Sequence, residues 1–353
     1  MDWWKNCVLA QWEDSRWVRN FRMSRRTFMW LVDILKPHLF HQDTQMRHAW
    51  PVDLRVAMSL WYLANKNSFR EVQEQFGVGL TTVADAVHEF CMVVEEVLVP
   101  RLVKLTDPME QIMLGFAEIG FPQCVGAVDG CHIPIQNPAD SNGEYINRKK
   151  FASIVLMAIC DHRGRFYAAE AGESGKSHDA YIFNGCHFTH AIDRGAFFPA
   201  TPSLVVDGVA VPPLVLGDGA FPMRKWLVTS YKPVHNARER QFNRRLSRAR
   251  CTIERAFGRL KARWRCLLSP LQIKLDSVST LVGACVVLHN ICETRGHRAP
   301  ELEERPPPLL TEMECQQDIV VGHEGGRGYD PRADSNLEEG KEVRDALARY
   351  MCG

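Results

Sequence analysis

None of the 12 cysteines in this 353-residue chain is paired as C-x-x-C or set at the spacing of a metal finger. A disulfide scaffold is therefore not expected. In so long a chain most of the thiols should be reduced and buried, as in an intracellular protein. Also missing is an uninterrupted apolar run of about 18 residues or more. The opening stretch MDWWKNCVLAQWEDSRW breaks its short apolar segment with charges, unlike a signal peptide. These two absences predict a soluble protein with no membrane segment. There is no internal repeat, and 46% hydrophobic with 24% charged residues excludes a fibrous or wholly disordered chain. The length suits one large or two smaller domains.

Net charge is nearly absent too, at +1, but the sum conceals a division along the chain. Residues 296–353 hold 7 Lys+Arg against 13 Asp+Glu, so the rest of the chain is basic. Within that basic part, Arg224 to Arg265 carries 14 Lys+Arg and two acids, Glu239 and Glu254. Such density would bind a polyanion through counterion release. A solvated basic helix face would look the same in the sequence.

Residues 1–110 read as helical, with apolar positions three and four apart in RRTFMWLVDILKPHLF and DLRVAMSLWYLA. Within them, about 69–90 has helix-turn-helix punctuation. A helix spans Phe69 to Phe76, Gly77 turns, and Thr81 or Thr82 caps the next helix. Its start offers Thr81, Thr82, Asp85 and His88 but no Arg or Lys, a poor set for reading DNA. The pair either meets DNA or packs on the core or a partner.

From Cys124 the pattern changes to short apolar runs with turns. CVGAVDGCHIPI reads as a strand, and FASIVLMAICDHRGRFYAAEAG as a hairpin turning at Asp161, Arg163 and Gly164. PPLVLGD is a further buried strand. The chain returns to helix at NARERQFNRRLSRARCTIERAFGRLKARWRCL, and DSVSTLVGACVVLHNICETRG reads as a buried helix. Residues 111–295 thus form an α/β domain with a sheet flanked by helices. Residues 296–353 read as an acidic, largely disordered tail, with KEVRDALARYMC able to form a helix.

Three acids stand out within the α/β region. Asp129 follows the small, apolar VGAV, where a buried charge needs a counter-charge. Asp218 ends PLVLGD, at the carboxyl end of a strand where ligands gather in α/β sheets. Glu254 lies on a helix whose Ile253, Phe257 and Leu260 should face the sheet, leaving Arg255, Arg259 and Lys261 for DNA. Each acid has an ordinary explanation alone, as a turn, a cap or an ion pair. Together, an acid after a strand, another after a second strand and a third on a helix form the layout of a ribonuclease H-like DDE nuclease. Such acids can hold the two divalent ions that phosphodiester cleavage uses.

The blocks GAVDGCHIPI, YINRKKFASIVLMAICDHRGRF, GKSHDAYIF, LVLGDGAFPMRKWLVTSY, FNRRLSRARCTIERAFGRLKARWRCL and ACVVLHNIC resemble, in order, those of PIF/Harbinger transposases and Harbinger transposase-derived nucleases. The resemblance covers roughly residues 20–295. It implies a ribonuclease H-like mixed sheet, a triad of Asp129, Asp218 and Glu254, and Asp179 of SHDAY as a further metal ligand. It also implies magnesium or manganese as cofactor, DNA as substrate, and a Myb-like partner protein. The location implied is nuclear, and cytoplasmic as well, with self-association left open.

Smaller expectations attach to other polar residues. Asn147, Arg148, Lys149 and Lys150 are candidates for a phosphate backbone, or form a solvated loop. His178 could ligate metal or serve a structural bond, and His132 could orient the site from behind. His289 and Asn290, inside an apolar helix, read as structural. The expected activity is metal-dependent cutting, and possibly transfer, of DNA strands. The alternative is a silent DNA- or protein-binding factor that keeps the fold.

Overall fold

Apolar side chains at three- and four-residue intervals fold the first part of the chain into helices, as the pattern predicts. The computed structural model describes residues 3–45, 48–66, 68–139, 141–199, 203–300 and 337–352. After a π-helical turn at Trp3–Leu9 come α1 (Asp14–Phe21), α2 (Arg25–Leu39), α3 (Val52–Asn65), α4 (Phe69–Phe76), α5 (Leu80–Leu102) and α6 (Met109–Ile119). Ser24 caps α2, and Ser68 with Glu71 forms a capping box on α4. The shared core is aromatic: Trp17, Phe21 and Phe28 are fully buried, with ring centroids 5.0 to 5.7 Å apart.

α4 ends at Gly77, whose φ of +65° needs a residue without a Cβ penalty, and α5 leaves at 108° to it. That is the angle of a helix-turn-helix pair. The expected threonine cap is not used: Gly79 precedes the first turn, with no side-chain cap. α5 runs for 23 residues, and its Val83, Val87, Phe90 and Val94 are buried. It packs on α3 and on α10 (Val278–Thr294), so it is a core helix whose exposed start shows Thr81, Asp85 and His88.

The sheet begins at β1 (Cys124–Pro134), followed by β2 (Ser153–Cys160) and β3 (Phe166–Ser174). Then come α7 (Asp179–Gly185), α8 (His187–Asp193), a separate small ribbon of β4 (Leu204–Val206) and β5 (Val209–Val211), β6 (Leu214–Leu216) and β7 (Leu227–Val228). The strand order is β3-β2-β1-β6-β7. β2 runs antiparallel to both β1 and β3, while β6 lies parallel to β1 and β7 parallel to β6. The hairpin turn falls where the sequence places it: Asp161 accepts the Arg163 and Arg165 amides, and Gly164 sits at φ +83°.

Strand β2 is buried on both faces, which explains its unbroken apolar run SIVLMAIC. Ile154, Leu156, Ala158 and Cys160 join one core with the N-terminal helices and α10. Val155, Met157 and Ile159 join a second with residues of α6, α7, α8 and α11 (Leu337–Cys352). The helix expected within KEVRDALARYMC is α11, which buries Val343, Ala346, Leu347 and Met351 and bonds Asp345 to the Tyr231 hydroxyl at 2.6 Å. The disorder expected of the tail concerns residues 301–336, which lie outside the described residues.

The 11 cysteines among the described residues are all free, and eight of them are buried. Leu275–Thr294, containing α10, is long and apolar enough by composition to cross a membrane, contrary to the expectation from apolar runs. In the fold, 67% of that window is buried in the protein, where it serves as a core helix. His289 and Asn290 have the structural roles expected of them. His289 bonds the Gly164 carbonyl at 2.9 Å, and Asn290 accepts the Phe166 amide at 2.9 Å while donating to the carbonyls of Phe166 and Leu102.

Candidate active site between two parallel strands and a helix

Register brings the first two acids together. β1 and β6 run side by side in parallel with Ala127 opposite Leu216, so Asp129 and Asp218 each lie two residues beyond a paired position, at the same edge. Asp129 accepts the Gly130 amide at 2.9 Å, and Asp218 accepts the Ala220 amide at 2.8 Å. The third acid comes from α9 (Ala237–Arg263), which packs on β1, β2 and β6. Asn236 caps this helix, and Phe242, Leu246, Ala249, Ile253, Phe257 and Leu260 form its buried stripe. Ile253, Phe257 and Leu260 therefore face inward as expected. Two bonds clamp α9 to β1 on either side of Glu254: Arg250 reaches Asp129 Oδ2 at 3.2 Å, and Lys261 donates to the His132 carbonyl at 2.7 Å.

Asp179, the first residue of α7, is the fourth acid. Its carboxylate lies so close to Gly130 that a Cβ there would come within 2.9 Å of Asp179 Oδ1. A glycine directly after Asp129 is thus what lets Asp179 approach, a reason for the VDG sequence that spacing alone did not suggest. Burial pushes the Asp129 carboxyl up to about 7; Arg250 opposes the rise, while Asp218 and Asp179 add to it. Burial also raises Asp179, again with a contribution from Asp218. The structure therefore places Asp129, Asp179 and Asp218 in one electrostatic neighbourhood.

Glu254 joins them through Arg250, whose guanidinium pairs with both Glu254 and Asp129. Burial works against the charge on Arg250, but Asp129 and Glu254 outweigh it and raise its pKa. In the sequence Arg250 is one cation of the basic segment, and its i,i+4 spacing from Glu254 is the one local signal of this pairing. Among the described residues, no three His, Cys, Asp or Glu side chains already converge as a metal-ligand group. The donor chemistry nevertheless suits a hard divalent ion: four carboxylates from β1, α7, the loop after β6 and α9, with burial disfavouring the charge on Asp129.

The remaining candidates divide. Arg148, Lys149, Lys150 and Arg255 are exposed. Asn147 is 4% exposed, and its amide is used inside the loop, donating to Ser153 Oγ at 2.8 Å and accepting the Lys149 amide at 2.9 Å. Arg259 pairs with Glu293 at 2.9 Å and bonds the Arg163 carbonyl. With Lys261 held by the His132 carbonyl, these three have donors turned to internal partners. His132 bonds Ser153 rather than an acid of the site, and burial lowers its pKa. His178 is exposed and bonds Arg148 at 2.7 Å.

Residues 128–290, which contain all four acids, match the DDE superfamily endonuclease family. Residues 6–96 match a domain of unknown function, DUF8040. Among whole proteins, the chain is similar to "Protein ALP1-like" of Arabidopsis thaliana, 25% identical over all of this chain and 86% of that protein. It is also similar to "Putative nuclease HARBI1" of Mus musculus, 25% identical over 80% of this chain and 79% of the relative, and of Homo sapiens, 24% identical with the same coverage. The resemblance to Harbinger transposase-derived proteins is thereby established. No solved structure matches the chain.

Proposed function

We propose that this chain is a divalent-metal-dependent DNA endonuclease or transposase of ribonuclease H-like fold, with Asp129, Asp218 and Glu254 as its triad and Asp179 as an added ligand. The observation that carries the reading is the parallel pairing of β1 with β6, which sets two aspartates at one sheet edge beneath the helix bearing Glu254. The order β3-β2-β1-β6-β7, with three antiparallel strands followed by two parallel ones, supports the ribonuclease H-like assignment.

The four carboxylates would hold magnesium, or manganese, which supplies activation of the attacking oxygen and charge neutralisation at the leaving one. The protein's own groups do the rest. The sheet edge holds Asp129 and Asp218 in fixed register, and Gly130 leaves room for Asp179. Arg148, Lys149, Lys150 and Arg255 would hold the phosphate backbone, giving affinity without sequence choice. A Myb-like partner for DNA selection, and a nuclear as well as cytoplasmic location, belong to the same reading.

A test is nicking of supercoiled DNA by the full chain with magnesium or manganese. Asp129→Asn, Asp218→Asn and Glu254→Gln should each lower the rate by at least about 10²-fold, the scale of one preorganised electrostatic group. A second reading, a silent DNA- or protein-binding factor, is favoured by one observation: Arg250 already neutralises two of the triad acids. DNA binding with no metal-dependent cutting by the wild type would decide for it.

A further inference from the structure

We propose that Arg250 is a displaceable stand-in for the divalent ion: it occupies the oxygens of Asp129 and Glu254 in the resting protein, and a DNA phosphate draws it away as metal binds. The inference rests on the metal-dependent reading above.

The geometry is that of competition for the same atoms. Arg250 Nη1 lies 3.2 Å from Asp129 Oδ2, and Nη2 pairs with Glu254, so one guanidinium links acids from a strand and a helix that a metal would also link. It is 15% exposed, and the charge of Asp218 adds to those of Asp129 and Glu254 in keeping it ionised. Among the described residues no three-ligand group is preassembled, and Arg250 takes up oxygens of two of the four acids. Nearby cations of α9 do not share the role: Lys261 is tied to the His132 carbonyl, and Arg259 to Glu293.

A guanidinium released from two carboxylates is suited to grip a phosphate with paired donors. From its place one helical turn before Glu254 it would meet a strand lying over the acids. Phosphate and metal then bind with positive coupling, because each is favoured by the state in which Arg250 has left Asp129. The free protein would bind metal weakly, and the DNA-bound protein tightly.

The experiment is Mn²⁺ titration of the full chain by calorimetry, without and with a short DNA duplex, subtracting ions held by the duplex alone. Without DNA, Arg250→Met should bind Mn²⁺ about 10-fold or more tightly than the wild type, the scale on which one adjacent arginine shifts an aspartate. The duplex should tighten Mn²⁺ binding to the wild type and change Arg250→Met little. Equal or weaker Mn²⁺ binding by a folded Arg250→Met overturns the proposal. Should that variant fail to fold, Arg250→Lys decides, because lysine keeps the charge but loses the two-pronged grip. It should bind Mn²⁺ more tightly than wild type with smaller DNA coupling, and wild-type behaviour in both respects overturns the proposal. If Asp129→Asn and Asp218→Asn bind Mn²⁺ as well as the wild type does, the metal-dependent reading falls and this one with it. If those variants lose binding while Arg250→Met is unchanged, only the role of Arg250 falls.

Discussion

Two arginines in this molecule each grip two carboxylates, with opposite electrostatic results. At the β2–β3 turn, Arg165 is 9% exposed and bonds Asp161 Oδ2 at 2.7 Å while also pairing with Asp107. Hydrogen bonding to Arg165 holds Asp107 below its ordinary pKa, and Arg163 and His162 add to the effect. At the sheet edge, Arg250 is 15% exposed and grips Asp129 and Glu254, yet Asp129 is pushed up to about 7. Burial is the main cause, and Asp218 and Asp179 push the same way. The first cluster is balanced by its own cations and tightens the fold. The second leaves the ionised form of an acid disfavoured, as sites that take up a further cation do.

The largest expected effect sharpens this contrast. Arg165→Ala should cost about 3–5 kcal/mol, the range for breaking a buried ion pair, read from the urea midpoint. Magnesium should not restore it. Arg250→Met should cost less, since Asp129 can take up a proton in compensation, and millimolar magnesium should recover part of the loss. Equal magnesium responses from the two variants would erase the distinction.

A smaller effect concerns pH in metal-free protein. The folded-state pKa of Asp129 is raised, so its contribution to stability is fully present in acid, below the unfolded pKa, and is lost as pH rises through about 7. Asp129→Asn should therefore match the wild type near pH 4 and exceed it at pH 8 by on the order of 4 kcal/mol. Asp107 behaves oppositely: its contribution is present above its unfolded pKa and lost as pH falls through the depressed folded one. Asp107→Asn should be less stable than the wild type at neutral pH, with the gap closing in acid. Paired thermal melts across pH would show whether the two curves separate in these directions.

The smallest effect lies outside both clusters. Replacing Lys149 and Lys150 together by Ala should weaken DNA binding and reduce the slope of log K against log salt by about 2, roughly 0.9 for each phosphate contact. Asn147→Ala should leave that slope unchanged and loosen the loop instead, because its amide holds Ser153 and the Lys149 amide. A fall in slope for Asn147→Ala would place its side chain back among the DNA contacts.

Much of the architecture was legible because its signals are local. The apolar run of β2, the Asp161–Gly164 turn, the capping box at Ser68 and the buried stripe of α9 each depend on residues within a few positions of one another. The cap that the sequence suggests at Thr81 or Thr82 is absent because α5 starts after Gly79 without a side-chain cap. Asn147 looked like a loop donor because the sequence does not show that Ser153 lies within its reach. Arg250 is one basic residue among many in the sequence, and only the contact of β1 with α9 sets it apart.

Residue order by itself determined an acid on one apolar strand, an acid after another and an acid on a helix, since hydrophobic period and turn chemistry act along the chain; that Asp129 lies within β1 and not after it was not legible there. Only the tertiary structure decided that Asp129 and Asp218 share one edge, that Gly130 yields space to Asp179, and that Arg250 stands between Asp129 and Glu254. The physical reason is range. Charge pairing and desolvation act through a few ångströms of space, and positions 129 and 250 become neighbours only when the sheet and α9 pack together.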